Sequence, residues 1–440
     1  MVLAARLLAS LRAHVTALAV LVAAGCGIKH DTVSALGTST GSSGSSGGAT
    51  TADSGGGSES GAGASDSGSN AGDATSSSTG AGACTGGIVW PGDLHLATAI
   101  DDPDLPCVTE VEGTVWIEAV PEITDLAALA SVTRIGGPLY VGSNEALTSF
   151  DGLEALEHVG VVALSENPVL ADVSALAGIR HLASLQIGRG QPQLSSVQSI
   201  AGDVAFALEP DRVSHVLFYG LDGLESLDGL TELGEITLEG DQRLRVGVAD
   251  LPAITDIAAL SVFAPLADRL ALTAANLPLS TFAFAGEPRL GELTLVSYPA
   301  LQRVELPGVT SIGELSFYHD LPQLTSLEGL EGLEHVDRLW IGQCTLANDF
   351  GLTSLTGLQG VTSIDELVIV GTEALTTIDA LAEGTALGTV TIADNAALPT
   401  ADVLARLALL DVSGTVTVCG NQGGEPCVGE VAPCKRIHPE

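Results

Sequence analysis

Residues 139–150 read LYVGSNEALTSF, and this stretch decides the fold prediction. Leu139 and Val141 alternate with outward neighbours, as expected of a short strand with one buried face. Asn144 ends the strand, because its side chain can bond turn backbone groups that stacking would otherwise leave unpaired. Leu147 and the final Phe follow three residues apart, and they predict a second apolar side. The stretch therefore reads as one coil of a stacked repeat.

The same frame recurs thirteen times between residues 114 and 421. Most intervals between successive strand-like segments are 22–24 residues, and longer ones follow positions 185, 236 and 339. Such short strands can be buried only against neighbouring coils, so a period of about 23 residues indicates a solenoid. The sequence therefore predicts a mainly β, parallel solenoid at 114–421. The second residues of the thirteen segments are 115, 139, 162, 185, 216, 236, 270, 293, 315, 339, 367, 390 and 416.

The unit L-x-L/I-x-x-N-x-x-L-x-x-L/I resembles the leucine-rich solenoid family, and most closely the receptor L domain. The matching units include residues 137–153 and 324–341. The resemblance implies a right-handed parallel β solenoid, and it covers about residues 114–421. It brings no ligand-contact motif to this chain. The pattern departs from the family at 190–215 and 240–268, where the spacing lengthens and the turn Asn is replaced.

The N-terminus has the features of an export signal. Arg6 and Arg12 precede the apolar run Val15–Ala24, which is too short for a stable membrane span. Small residues lead to Cys26, and this ending resembles a bacterial lipobox, in which the cysteine is acylated. We therefore predict a lipoprotein signal peptide at 1–25 and lipidation of Cys26. The alternative is a plain secreted protein in which this cysteine is incidental.

Residues 26–83 are predicted to form a disordered, lipid-anchored tether. Of the 53 residues from Asp31 to Ala83, 45 are Gly, Ser, Thr or Ala, and none is Lys or Arg. Such a segment buries too little apolar surface to offset the entropy lost on ordering. Gly27 follows Cys26, and by resemblance to enterobacterial lipoproteins the absence of Asp there indicates the outer membrane. The expected location is therefore the bacterial outer membrane or cell surface.

The charge excludes one class of partner. The chain has 16 Lys and Arg against 54 Asp and Glu in 440 residues, so its formal net charge is −38. A nucleic-acid binder needs a basic face to replace phosphate counterions, so we expect no nucleic-acid partner. The same balance argues against a polybasic membrane patch. The expected membrane contact is the N-terminal lipid, and the acidity favours a soluble, unassociated rod.

Six cysteines remain after Cys26, and most of them flank the repeats. Cys84 and Cys107 precede the first strand and form the natural pair of an N-terminal cap at 84–113. A C-terminal cap and tail at 422–440 follows the last coil. Two of three cysteines near it are expected to pair, although the sequence leaves their connectivity open. These three are Cys419, Cys427 and Cys434.

One register position recurs at the turn that ends each strand. We expect its residues to form a structural turn ladder, and Cys344 fits there as a buried free thiol because leucine-rich repeats accept Asn or Cys at this position. Replacing a ladder residue would then cost more stability than its polarity suggests. The predicted ladder residues are Asn144, Asn167, Cys344, Asn395 and Asn421.

The sequence gives little sign of catalysis. H-E-x-x-H, Walker A and C-x-x-C motifs are absent, and we expect no metal and no cofactor. His158 and His335 occupy equivalent Glu-His-Val positions, which indicates a role in the fold. Glu292 and Glu314 would be neighbours on adjacent coils and would suit a carbohydrate-active β-helix lyase or hydrolase. Arginines in the same register favour a surface charge ladder.

Outward aromatic residues are the best candidate ligand contacts. Exposed rings on a rigid sheet suit stacking on sugars or gripping a protein. The first expectation is thus a non-catalytic envelope protein that recognises or adheres to a protein or glycan. The alternatives are a carbohydrate-active enzyme and a passive envelope structural protein. The candidate contacts are Trp116 and Tyr140 on the first two coils and Tyr318 and Trp340 further along.

Overall fold

The computed structural model describes residue 84 and residues 86–195, 202–206, 213–343 and 350–428. Twenty of the strands in this part of the chain form one parallel sheet, and β14 and β16 form a separate pair. The first strands are β1 (Ile88–Trp90), β2 (Leu94–His95), β3 (Val108–Val111), β4 (Val115–Glu118), β5 (Arg134–Ile135), β6 (Leu139–Gly142), β7 (His158–Ser165) and β8 (His181–Ile187). The middle strands are β9 (Gly202–Phe206), β10 (Val213–Tyr219), β11 (Leu233–Leu238), β12 (Arg243–Ala249), β13 (Leu270–Ala275), β14 (Thr281–Ala283) and β15 (Arg289–Val296). The last are β16 (Arg303–Glu305), β17 (Ser311–Tyr318), β18 (His335–Gly342), β19 (Ser363–Val370), β20 (Ala386–Ala393), β21 (Asp411–Val412) and β22 (Val416–Cys419).

Helical structure is sparse and lies outside the sheet. The α-helices are α1 (Leu96–Ala99) and α2 (Thr400–Leu407). No helix in the described part of the chain is long and apolar enough to span a membrane. Short 3-10 segments close the far side of several coils, at Leu105–Cys107, Ala127–Leu129, Ser174–Gly178, Asp228–Glu232 and Ala258–Arg269.

The parallel solenoid predicted from the repeat is confirmed. Five strands of eight residues, β15, β17, β18, β19 and β20, pair side by side in unbroken register. Their inward residues stack into one column, in which Leu293 pairs with Leu315 and Leu315 with Leu339. The second apolar side, exemplified by Leu153 and Leu156, is also fully buried. Each coil thus buries its apolar residues only by stacking on its neighbours.

The register expected at two of the thirteen segments is wrong. The segment around Ile236 lies in β11 and pairs with β9, whereas β12 pairs with β10 and places Val246 beside Val216. The coil that contains Ile236 therefore contributes two strands to the sheet, β11 and β12. In the next coil Leu272, not Leu270, pairs with Val246. Both leucines point inward, and a strand pattern of period two cannot separate registers that differ by two residues.

The stacking extends into the segment assigned to an N-terminal cap. Strand β2 pairs in parallel with β4, and β1 pairs with β3, so the ladder already begins within residues 84–113. At the other end β22 pairs with β20.

Many of the turns that end a strand contain a residue with a positive φ angle, in the left-handed region of backbone conformation. Ser143, Glu166 and Asp394 have φ angles of 56°, 56° and 57°, and each directly precedes a turn-ladder Asn. Non-glycine residues adopt this conformation rarely, and short polar side chains tolerate it best. The backbone N–H of Ser143 continues the inter-coil bonding by donating to the carbonyl of Ser165. The turn is therefore built from two consecutive positions, of which the repeat pattern identified only the second.

Candidate functional site: the outer face of the parallel sheet

The outer face of the sheet carries a central row of outward positions, one from each rung. Neighbouring positions in this row are paired in register and lie one strand spacing apart, about 4.8 Å. Three of the four candidate aromatic contacts occupy it. The central row is His95, Trp116, Tyr140, Ala163, Gln186, Leu217, Gly247, Thr273, Thr294, Ser316, Trp340, Val368, Thr391 and Thr417.

The first three members of the row form an aromatic ladder of His95, Trp116 and Tyr140. The ring centroids of Trp116 and Tyr140 are 4.4 Å apart with planes inclined by 26°, and His95 stacks on Trp116 at 6.0 Å. His95 is exposed, and the other two side chains are half-buried. Burial raises the pKa of the Tyr140 phenol above its ordinary value, at which a phenol is already protonated at neutral pH. Two of the candidate contacts are thus brought together on an open part of the sheet.

The row beyond Tyr140 is built from smaller side chains. Ala163 lies on the next rung and Gln186 on the one after it. Among the described residues no further ring stacks on the Tyr140 face that points away from Trp116. Two rung spacings separate Tyr140 from Gln186, about 9.6 Å, and a planar group stacks on an aromatic ring at roughly 3.5–4 Å. Tyr140 is therefore followed in the row by a methyl group and then by an amide, and we call this part of the row the notch.

Tyr318 and Trp340 are buried, which corrects the expectation that they are exposed. Each is only 4% exposed, although both lie on the outer side of the sheet. Their ring centroids are 5.4 Å apart, and they belong to a second apolar cluster that includes Val296, Val368 and Val370. The indole N–H of Trp340 donates to the carbonyl of Gly342 at 3.1 Å. Alternation gave the direction of these side chains correctly, but it could not reveal that neighbouring outward positions are also apolar.

A charged groove of about 610 Å³ lies beside the central row, two positions earlier on each strand. Four arginines line it, Arg243, Arg269, Arg289 and Arg338, out of 16 basic residues in the whole chain. Carboxylates alternate with them, and they include both members of the pair considered for catalysis. The acidic lining residues are Asp268, Glu292, Glu314, Asp337, Asp365 and Glu366.

Ion pairs connect different rungs of this groove. Arg338 lies between Glu314 and Glu366, with nitrogen–oxygen distances of 3.5 Å and 2.7 Å. Arg243 reaches Glu292 at 2.6 Å. The charge ladder expected from the sequence is therefore present, and it spans the two carboxylates of the enzyme alternative. The Arg243–Glu292 pair is the more exposed one, and an exposed pair contributes little stability by itself.

Glu314 is a poorly solvated carboxylate in the groove, and its pKa is shifted. Its side chain is 19% exposed, and burial raises the pKa of its carboxyl above the ordinary value. The Ser316 hydroxyl, which donates to Glu314 Oε1 at 2.9 Å, and the nearby Arg338 oppose that rise. A buried carboxyl that holds its proton more tightly can act as a general acid, so this residue is the strongest chemical argument for the enzyme alternative.

Buried asparagines cross-link the turns at both ends of the described solenoid. The side-chain oxygen of Asn144 accepts from the N–H of Val120 at 3.0 Å, and its amide donates to Ile117 and Asn167. Asn395 and Asn421 repeat this arrangement near the C-terminus, with the Asn395 amide 2.8 Å from Asn421 Oδ1. In the middle coils the corresponding positions are apolar and buried, namely Leu221, Leu251, Leu277 and Tyr298. Cys344 lies outside the described residues.

The described cysteines are in disulfide form. Cys419 and Cys427 are joined by a disulfide that spans eight residues of the C-terminal segment. Cys84 and Cys107 are each disulfide-bonded as well. Cys26 and Cys434 lie outside the described residues.

The repeat-equivalent histidines occupy different surroundings. His158 stacks on His181 of the next rung at 4.2 Å, and burial followed by the charges of His181 and Arg134 lowers the pKa of His158. His335 instead contacts Asp337, with its Nε2 atom 2.8 Å from a carboxylate oxygen. Equivalence in the repeat thus predicted the position of both residues but not the partners of either.

Comparisons with known proteins give this chain no family. No protein-family model and no curated protein sequence matches it. The resemblance to the receptor L domain therefore stays a prediction.

Proposed function

We propose that this protein is a non-catalytic, lipid-anchored recognition module of the bacterial cell envelope. Export and acylation at Cys26 would place it on the outer membrane, and residues 26–83 would hold the solenoid away from the bilayer. The ligand is a glycan or an envelope protein. The observation that supports recognition is the half-exposed stack of Trp116 and Tyr140 in the aromatic ladder, because accessible stacked rings on a rigid sheet are suited to such contacts.

The notch beside Tyr140 gives this proposal a concrete binding geometry. A sugar ring or a planar side chain would stack on the free face of Tyr140 above Ala163. Gln186 would then offer an amide donor and acceptor to a hydroxyl or a peptide group on the far side. The positions of these residues are set by paired backbone, so little ordering entropy is lost on binding.

A binding screen with matched variants tests the proposal. The full-length protein is applied to an array of neutral and acidic oligosaccharides and to purified outer-membrane proteins, and each hit is quantified by calorimetry. Tyr140→Ala removes the stacking wall and is expected to weaken binding at least tenfold, because such an anchor contributes about 2 kcal/mol or more. Tyr140→Phe keeps the ring face and should retain most of the affinity.

The matched control is His181→Ala, which removes another exposed, stacked ring from a different row. It should leave the affinity unchanged. Equal effects of the variants at Tyr140 and His181 would contradict the assigned site. Absence of any ligand on the array would favour the passive structural protein.

Glu314 supports a second candidate, a carbohydrate-active enzyme. Its poorly solvated carboxyl, with a raised pKa, lies in the groove and pairs in register with Glu292 on the neighbouring rung. A protonated acid beside a second carboxylate is the arrangement that glycoside hydrolysis requires. Incubation with acidic polysaccharides, followed by detection of reducing ends, tests this candidate. Turnover that Glu314→Gln abolishes without lowering the melting temperature would replace the non-catalytic proposal.

A further inference from the structure

Three side chains able to bind a metal meet at the edge of the charged groove. His335 and Asp337 lie on β18, and Asp365 lies on the next strand, β19. One ligand atom of each residue lies within 4.8 Å of the others. His335 and Asp337 are half-buried, and Asp365 is exposed. The two aspartates are 28 residues apart in the sequence, so no local motif indicates the cluster.

The two aspartates occupy a bend where neighbouring coils have glycine. The equivalent residues are Gly291, Gly313 and Gly388. A Cβ atom at these glycines would lie 2.6, 2.4 and 2.1 Å from a backbone carbonyl oxygen, so the bend in those coils favours the smallest residue. Folding therefore does not require a carboxylate at this position, yet two adjacent coils have Asp337 and Asp365 there, side by side.

The imidazole of His335 is held in a suitable orientation. Its Nδ1 atom lies 2.6 Å from the hydroxyl oxygen of Ser363 on the next rung. Its Nε2 atom lies 2.8 Å from Asp337 Oδ1, a hydrogen-bond distance, so a metal ion would replace the proton shared by these two atoms. Arg289 fixes the other carboxylate oxygen of Asp337 at 2.7 Å. Metal-binding histidines and carboxylates are typically oriented by outer partners of this kind.

We propose that His335, Asp337 and Asp365 bind one divalent transition-metal ion, with Zn²⁺ the preferred one. One imidazole nitrogen and two carboxylate oxygens are ligand types that Zn²⁺ accepts. At metal–ligand distances of about 2.0–2.2 Å, tetrahedral ligands lie roughly 3.4 Å apart. The contact of 2.8 Å between His335 Nε2 and Asp337 Oδ1 would have to open slightly, and ligand atoms up to 4.8 Å apart would have to close. The open side of the site faces the groove and leaves a position for water or for a ligand group. This proposal does not depend on the aromatic ladder.

Metal titration of the full-length protein tests the site directly. The protein is dialysed against a chelator and titrated with ZnCl₂ by calorimetry, and with CoCl₂ by visible absorption. We expect one ion per chain in the wild type and binding at least tenfold weaker in His335→Ala and in Asp365→Asn. Asp365 is exposed, so its variant reports on the site even if the loss of His335 disturbs folding.

The matched control is His158→Ala, which removes a half-buried histidine from another part of the sheet and should leave metal binding unchanged. The absorption spectrum separates this site from the cysteines, because Co²⁺ bound to thiolate has an intense near-ultraviolet band that nitrogen and oxygen ligands lack. A thiolate band, unchanged binding in both site variants, or no binding by the wild type would each overturn the proposal.

Discussion

Replacing Asn395 by Ala should destabilise the C-terminal coils far more than loss of a surface amide would. The Asn395 side-chain oxygen accepts from the backbone N–H and the hydroxyl of Thr372, at 3.0 and 2.7 Å. Its amide donates to the carbonyl of Ile369 at 3.0 Å and to Asn421. All of Asn395 and Thr372 is buried. The substitution therefore removes four hydrogen bonds from a site that solvent does not reach.

The magnitude follows from the groups left unpaired. An unsatisfied buried polar group costs about 1–3 kcal/mol, and the Thr372 N–H and the Ile369 carbonyl both lose this partner. The sum is about 2–6 kcal/mol, and we expect about 3 kcal/mol because the Thr372 hydroxyl can rotate toward another acceptor. Stacked repeats unfold through their interfaces, so the loss should fall mainly on the coils next to Asn395.

Two measurements check this expectation. Urea denaturation followed by circular dichroism should give a lower midpoint, and hydrogen exchange at the Thr372 amide should accelerate roughly a hundredfold, which corresponds to about 3 kcal/mol. Gln323→Ala is the matched control, because it removes an exposed amide of the same solenoid. If both variants showed the same midpoint and the same exchange at Thr372, the turn ladder would not stabilise the fold as argued.

Four further predictions test separate parts of the account. Trp340→Ala should lower the free energy of unfolding by about 3–5 kcal/mol, measured by urea denaturation, because it empties a buried apolar cluster; ligand affinity should stay unchanged. For Glu314, a folded-state pKa above the ordinary value means that its contribution to stability is present at low pH and is lost as the pH rises through the raised pKa. Glu314→Gln should therefore gain stability relative to the wild type as the pH rises through the raised pKa of Glu314, and a relative loss in urea midpoint would contradict the sign. Replacing Cys419 and Cys427 together by Ser should destabilise the C-terminal segment by about 2–3 kcal/mol, as expected for opening a short disulfide loop, and unchanged proteolysis of that segment would argue otherwise. Cys26→Ser should release the protein from the membrane fraction; continued retention without bound lipid would exclude acylation there.

The sequence predicted the fold well because the repeat is a consequence of packing. Leucines such as Leu139 and Leu315 must be buried against neighbouring coils, and this requirement is visible as a period in a single chain. The register was wrong at Leu270 because two inward positions on one strand satisfy the same alternation. A constant repeat length would have identified the correct register, but the coils around Ile236 differ in length.

The candidate site was only partly predictable for a different reason. Alternation gives the side of the sheet on which Trp116 and Trp340 lie, yet one is half-buried and the other is buried. The difference depends on neighbours on the adjacent rungs, which are 20–30 residues away in the sequence. The association of His335 with Asp365 has the same origin. Contacts across rungs become readable only when the exact register is known.

The proposed ligand contact can be tested most directly by fluorine NMR of the full-length protein labelled with 5-fluorotryptophan. The chain has three tryptophans, Trp90, Trp116 and Trp340, so each gives one resonance that a Trp→Phe variant assigns. On titration with the oligosaccharide or envelope protein that binds best in the screen, the resonance of Trp116 should shift and saturate with the calorimetric Kd. The resonance of the buried Trp340 should not shift. A shift of Trp340 with no change at Trp116 would contradict recognition through the aromatic ladder.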